Sequence, residues 1–277
     1  MKKITILLTL LLSLLALAGC GGNNQKVADA PKKDAAPAVL KIGVTAGPHA
    51  EIMDNVKKLA EKQGLKLEIV EFSDYVSPNV ALFQGELFAN SMQHAPYLQA
   101  TLKKEPKFDL KECFKTVNFP MAVYSKKIKK GETIPDGAII AIPNDPSNGG
   151  RALLLLANAG LIKVKDINNV TTSVADITEN IHNFKFRELD AATIPRSMDD
   201  VTVAVINANY ALPAGLNPTN DSILLESAKN PFVNIFVTKD KNLKSEQIAK
   251  LKAIYQSPEN EKFILEHFKG TILPAWK

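Results

Sequence analysis

The chain has 277 residues, 45% of them apolar, and a formal charge of +5 that falls by two if Lys2 and Lys3 leave with a signal segment. That length gives one large domain or two of about 120 residues, with enough aliphatic content for a full core. Nucleic-acid binding calls for clustered Lys and Arg interleaved with aromatics, and the mild charge argues against it; the one dense run, Lys126-Lys127-Ile128-Lys129-Lys130, reads as a solvated edge.

Residues 1–20 read as a secretory signal. Lys2 and Lys3 precede an apolar run over residues 4–18, shorter than the about 20 residues a membrane span needs. The run closes on Leu17-Ala18-Gly19-Cys20, which resembles a bacterial lipoprotein signal, in which the cysteine is acylated and becomes the first mature residue. An ordinary cleaved signal with an incidental cysteine is the alternative. Cys113 is then alone, so no internal disulfide can form, and it reads as a small core residue. Residues 21–38 are polar, rich in Ala, Pro and Lys, and without period, which predicts a flexible tether.

Folding is expected to begin at Val39-Leu40-Lys41-Ile42-Gly43-Val44, a strand. A helix over 51–63 follows, with Ile52, Val56, Leu59 and Ala60 at helical spacing and Gly64 as its stop. Residues 65–70 alternate as a strand, which completes a β-α-β unit and implies a parallel sheet. A loop at 72–79 leads into a short helix at 80–84. Turn and strand come next at 85–92, and a helix opens near Pro96. Residues 113–125 read as one long β-rich stretch, with Pro120 marking an edge or crossing strand. A second β-α-β set has strands at 138–142 and 201–206, a helix at 150–159, a weaker one near 176–181 and a short one at 195–199. A strand at 232–237 and helices at 245–256 and 259–268 end the chain. The pattern predicts two α/β lobes: residues 39–122 plus 232–277, and an inserted lobe at 123–231. A small ligand is expected between them.

Asn144-Asp145-Pro146-Ser147-Asn148-Gly149-Gly150-Arg151 stands between an apolar strand and a helix pattern. Strand, small-residue loop and helix N-terminus together present backbone N–H groups to an anion. Arg151 falls in the expected first helical turn, where a cation is unfavourable by about 0.3–1 kcal/mol. It serves either as a two-pronged clamp on a ligand carboxylate or as a surface arginine with its stem on the loop. An exposed cleft arginine would have little structural duty. Asn144 and Asn148 are common loop residues, and His94 at a helix start is a capping histidine or a ligand contact. Asn234 interrupts an apolar strand, and a buried amide needs partners.

Four stretches carry a family resemblance: the cysteine box with its tether; Phe72-Ser73-Asp74-Tyr75-Val76-Ser77-Pro78-Asn79; Ala89-Asn90-Ser91-Met92-Gln93-His94-Ala95-Pro96-Tyr97-Leu98; and residues 143–151. Pro195-Arg196-Ser197-Met198-Asp199-Asp200 and Val205-Ile206-Asn207-Ala208-Asn209-Tyr210-Ala211 extend it over essentially the whole mature chain. The chain resembles the NlpA/MetQ lipoproteins, methionine-binding components of ABC importers. The resemblance implies a two-lobed, type II-like periplasmic-binding-protein fold and no cofactor or metal. Its partners would be the importer's permease and ATPase subunits, and it would act as a monomer held extracytoplasmically on the membrane by lipid. It also implies that Arg151 and Asn144 hold the ligand carboxylate. Asn207, Asn234 and Asn209 would then face the ammonium through amide oxygens, with Tyr75, Met92, His94 and Tyr97 walling the side-chain pocket. The family usually has an aromatic where this chain has Met92, which leaves room for a methionine-containing dipeptide or another apolar amino acid.

A surface enzyme is the rival class, but GxSxG, HExxH and close metal-ligand spacing are absent from the sequence. A lipid-anchored adhesin is a third. If Cys20 bears the lipid, Cys20→Ser releases the protein into soluble fractions or leaves an unprocessed precursor. Unchanged membrane partitioning and mass of the variant would refute the anchor.

Overall fold

A computed structural model describes residues 39–277; the signal segment with Cys20 and the tether expected at 21–38 lie outside the described residues. β1 (Leu40–Thr45) turns at Gly47, where φ is 81° and an added Cβ would meet the Pro213 ring at 2.7 Å. Pro48 then opens α1 (Pro48–Glu61), which buries Ile52, Met53, Val56 and Ala60 along one stripe. β2 (Leu67–Phe72), α2 (Ser77–Gln84), β3 (Ala89–His94) and α3 (Ala95–Lys104) follow.

The stretch expected as one long strand is three: β4 (Leu110–Lys115), β5 (Val117–Asn118) and β6 (Met121–Tyr124). The chain changes sheets there, and Pro120, having no N–H, stands in the gap. Beyond it come β7 (Ile139–Pro143) and α4 (Pro146–Asn158), then β8 (Lys163–Val164), β9 (Ile177–Glu179) and β10 (Lys185–Leu189). β11 (Val203–Asn207), α5 (Ala208–Ala211) and β12 (Leu224–Leu225) follow, and then β13 (Asn234–Lys239), α6 (Glu246–Tyr255), α7 (Pro258–His267) and β14 (Leu273–Pro274).

Three expectations are corrected here. The helix expected near 176–181 is a single 3-10 turn, Val174–Asp176, running into β9, where Ile177 and Thr178 favour extended backbone. The short helix at 195–199 is a 3-10 turn, Ile194–Ser197. α4 begins at Pro146, four residues before the expected start, so Arg151 lies in its second turn.

Two five-stranded sheets result, in the orders β2-β1-β3-β13-β4 and β10-β7-β11-β6-β12. In the first, β1 is parallel to β2 and β3, and β13 runs antiparallel to both β3 and β4. In the second, β7 is parallel to β10 and β11, and β6 runs antiparallel to β11 and β12. Each sheet thus takes as its antiparallel member the strand that has just arrived from the other. The central strands of both sheets are buried on both faces. On β13, Phe236 packs with α1 and α6, while Ile235 and Val237 face Leu82 and Leu98. On β11, Val203 and Val205 pack with Leu153 and Leu156 of α4, while Ala204 and Ile206 face Ile194 and Met198.

Backbone closeness explains the glycines of α4. A Cβ on Gly149 would stand 2.8 Å from the Pro143 carbonyl oxygen. One on Gly150 would stand 2.6 Å from the Val170 oxygen and 3.0 Å from Thr172 backbone atoms. Alanine would favour the helix by about 1 kcal/mol, but a clash with fixed backbone costs roughly 1–3 kcal/mol. Gly150→Ala is therefore expected to lower the melting temperature. An unchanged or raised value would show that the 170–172 segment yields freely.

Candidate functional site

A narrow cavity lies between the two sheets, and its walls come from the strand ends and helix starts of both. From the first lobe, β3 supplies Met92, Gln93 and His94, with Tyr75, Tyr97 and His49 around them. From the second, α4 supplies Asn148 and Arg151, and the end of β11 with α5 supplies Asn207, Ala208 and Asn209. Phe119 and Asn234 stand where the chain passes between sheets. Of the nine sequence-expected contacts, eight meet in this cavity.

The ninth, Asn144, does not. It is exposed, and it lines an outer groove with Tyr97, Lys104 and Phe108. The carboxylate role expected of it has no geometric support. Nor do the donors at the α4 start await an anion. Asp145 caps the helix: its carboxylate accepts from the Asn148 N–H at 2.9 Å, the Asn148 side chain at 2.9 Å and the Ser147 hydroxyl at 2.9 Å. The cavity instead meets one face of the first two turns, where Asn148 and Arg151 stand three residues apart.

His94 joins the lobes. Its Nδ1 accepts from the Tyr97 N–H at 3.1 Å and so caps α3, which places the ring proton on Nε2. Nε2 stands 3.1 Å from Asn148 Oδ1, which also accepts from Asn207 Nδ2 at 2.8 Å. Capping and cavity-lining roles therefore coincide in one ring. Asn148 is central to the site; its loop-like sequence context hid it, and its three-residue spacing from Arg151 could have found it.

Two amides leave buried atoms unpartnered. Asn207 Oδ1 has no partner among the described residues, nor has Asn209 Nδ2. Asn209 Oδ1 is already taken by the Tyr75 hydroxyl at 2.6 Å, so this amide offers a donor where an acceptor was expected. The Asn234 side chain, opposite His94 in the β3–β13 pairing, makes no hydrogen bond among the described residues. Buried polar atoms without partners are uncommon in native proteins, and two such amides beside the unbonded Asn234 side chain mark a place for a polar ligand.

Arg151 is buried, not exposed. Its Nε and Nη2 bond Glu226, Nη2 also donates to the Phe119 carbonyl at 2.7 Å, and the guanidinium stands 4.6 Å from the Phe232 ring centroid. The expectation of little structural duty is therefore corrected. Nη1 has no partner among the described residues. The aromatic wall is continuous: Tyr75 lies 5.7 Å from Tyr97 and 5.0 Å from Tyr210, and His94 lies 5.2 Å from Phe232. Burial keeps the Tyr75 and Tyr97 phenols protonated. Behind β3, the Asn79, Asn90 and Gln93 amides bond one another at 2.7–3.0 Å and hold the strand in place.

Two α/β lobes with unpartnered amides and a half-free guanidinium converging between them define a two-lobed binding protein of the periplasmic-binding-protein fold. A family model for NlpA lipoproteins matches residues 40–276, and the chain belongs to that family. It is 40% identical to a probable D-methionine-binding lipoprotein MetQ of Pasteurella multocida, with 97% of each chain covered. It is 41% identical to the D-methionine-binding lipoprotein MetQ of Escherichia coli K12, covering 96% of this chain and 95% of that one. A nutrient-binding protein from Burkholderia cenocepacia, solved bound to methionine, superposes with a TM-score of 0.82 at 44% identity, covering 85% of this chain and 99% of that one.

The cavity histidines make stability depend on pH. Burial lowers the His49 imidazole to about 3, and burial together with the nearby Arg151 charge lowers His94 to about 3. The unfolded chain takes up these protons near pH 6.5 and the native state refuses them. Stability is thus full above pH 6.5 and is lost as pH falls toward 3, by about 1.4 kcal/mol per pH unit for each histidine. Urea unfolding of ligand-free protein between pH 7 and 5 is expected to show that slope, with His49→Gln removing about half of it. A slope untouched by the substitution would exclude His49 as its source.

Proposed function

We propose that this chain is a lipid-anchored, extracytoplasmic substrate-binding protein that captures methionine and delivers it to an ABC importer. The observation that carries this reading is the lining itself, in which amides with unpartnered atoms and Arg151 share one cavity with the Tyr75 and Tyr97 rings and Met92. We assign Arg151 Nη1 to the carboxylate, and Asn207 Oδ1 and the Asn234 amide to the ammonium. Tyr75, Tyr97, His94 and Met92 are assigned to the thioether. Sulfur against aromatic edges contributes roughly 0.3–1.5 kcal/mol per contact. Asn209 orients Tyr75 and presents its amide nitrogen to the ligand.

The relatives' names and the methionine-bound structure support the ligand, and the lipoprotein relatives support the anchor. No helix among the described residues is long and apolar enough to cross a membrane; the Leu17-Ala18-Gly19-Cys20 box makes Cys20 the attachment we assign. Permease and ATPase subunits are the partners, and the protein works as a monomer. The cavity's groups bind and orient, and we assign no catalytic role. Met92, flexible where an aromatic would be rigid, favours including a methionine dipeptide among the compounds tested.

Asn234 gives the cleanest test, because its side chain serves nothing else among the described residues. Asn234→Ala is expected to leave the melting temperature nearly unchanged and to weaken methionine by about tenfold or more, the effect of losing one bond to a charged group. Titration calorimetry with L-methionine, D-methionine and a glycyl-methionine dipeptide measures this directly. A parent indifferent to all three, or an alanine variant as tight as the parent, would sink the assignment.

A further inference from the structure

Arg151 does not meet the cavity as a free cation. Glu226 Oε1 accepts from its Nε at 2.8 Å, and Oε2 accepts from Nη2 and from the Met121 N–H at 3.0 Å. The side chains are 2% and 9% exposed. With the Phe119 carbonyl and the Phe232 ring on the same guanidinium, every rotation is blocked, and Nη1 is the edge left over. The pair carries no net charge. The other polar atoms of the cavity belong to neutral amides, phenols and imidazoles held neutral by burial. The lining is therefore dipolar and neutral, which matches a zwitterion; the Asp145 carboxylate stands behind it, bonded to Asn148, and is the same in every variant below. A buried guanidinium without its carboxylate would attract a net anion instead.

Resting on the methionine reading, we propose that Glu226 is the cleft's specificity-determining residue. By orienting Arg151 and cancelling its charge, it makes the site choose an amino acid over an anion with the same side chain. Glu226 acts through Arg151 and does not itself line the cavity.

Methionine and 4-(methylthio)butanoate, which is methionine without its ammonium, are the two probes, titrated by calorimetry alongside melting curves. The parent is expected to prefer methionine by about a hundredfold, from the lost ammonium contacts. Glu226→Gln keeps the shape and removes the charge, so that preference is expected to shrink by about tenfold or more, the weight of one close charge. Glu226→Asp keeps the charge on a shorter stem. Both probes should weaken, with their ratio within about threefold of the parent's. A residue that only supports the fold would weaken both probes equally in Glu226→Gln. An unchanged ratio in that variant therefore overturns the proposal. If Glu226→Gln fails to melt cooperatively, Glu226→Met, neutral and of similar length, is read in its place by the same ratio, and a ratio that collapses in Glu226→Asp despite the retained charge overturns the proposal. A parent that binds neither probe overturns the methionine reading and this inference with it; a parent that binds methionine while Glu226→Gln discriminates as before overturns this inference alone.

Discussion

A guanidinium taken out of water loses several kcal/mol of hydration, and the surroundings of Arg151 are what make its burial tolerable. Its three kinds of compensation come from segments distant in sequence: a carboxylate 75 residues on, a carbonyl 32 residues back and an aromatic face at Phe232. Phe119 and Phe232 lie on the two passages between the sheets, and Glu226 lies just before the second. The charge thus sits where the chain changes lobes, and satisfying it obliges those passages to lie side by side. Asn118 reinforces this by donating to the Ala228 carbonyl at 2.8 Å. Site and crossing are one construction, since the same guanidinium lines the cavity.

A second constraint is the chain of amides running from His94 through Asn148 to Asn207. Asn148 Oδ1 accepts from both sides, one donor from each lobe, while its nitrogen is held by Asp145. A single carboxamide thereby fixes the register of one lobe against the other at the cavity edge. The donors and acceptors that this chain leaves over, on Asn207 and Asn209, are the ones available to a ligand.

Much of this was legible before any coordinates. Apolar runs and glycine stops marked the β-α-β units, and the polar interruption of an apolar strand singled out Asn234. Misreadings had local causes. Residues 146–149 look like loop, and Gly149 and Gly150 are small because the Pro143 carbonyl and the 170–172 backbone pass close to them; Asp145-Pro146, a cap followed by a first-turn proline, carried the better signal. β10 went unseen because Lys185, Arg187 and Glu188 mask an edge strand's pattern. Glu226 had no local signature at all, since its role exists only after 75 intervening residues have folded. Asn144 resembled its neighbours in type and differed only in direction, which sequence spacing does not convey.

The strand order of the first sheet bears on how the protein is made. β13 lies between β3 and β4, so β4 has no neighbour in that sheet until residues 234–239 are present. All five strands of the second sheet, by contrast, are contiguous in the chain, from β6 to β12. A polypeptide threaded through a membrane N-terminus first would deliver the inserted lobe whole while the first remained open-edged. The first lobe could not close until nearly the entire chain had crossed. Incomplete products released early would carry an unpaired strand and an unclosed core, the features that proteases and chaperones recognise. The order of strands thereby makes completion of the first lobe wait on the second passage between the sheets.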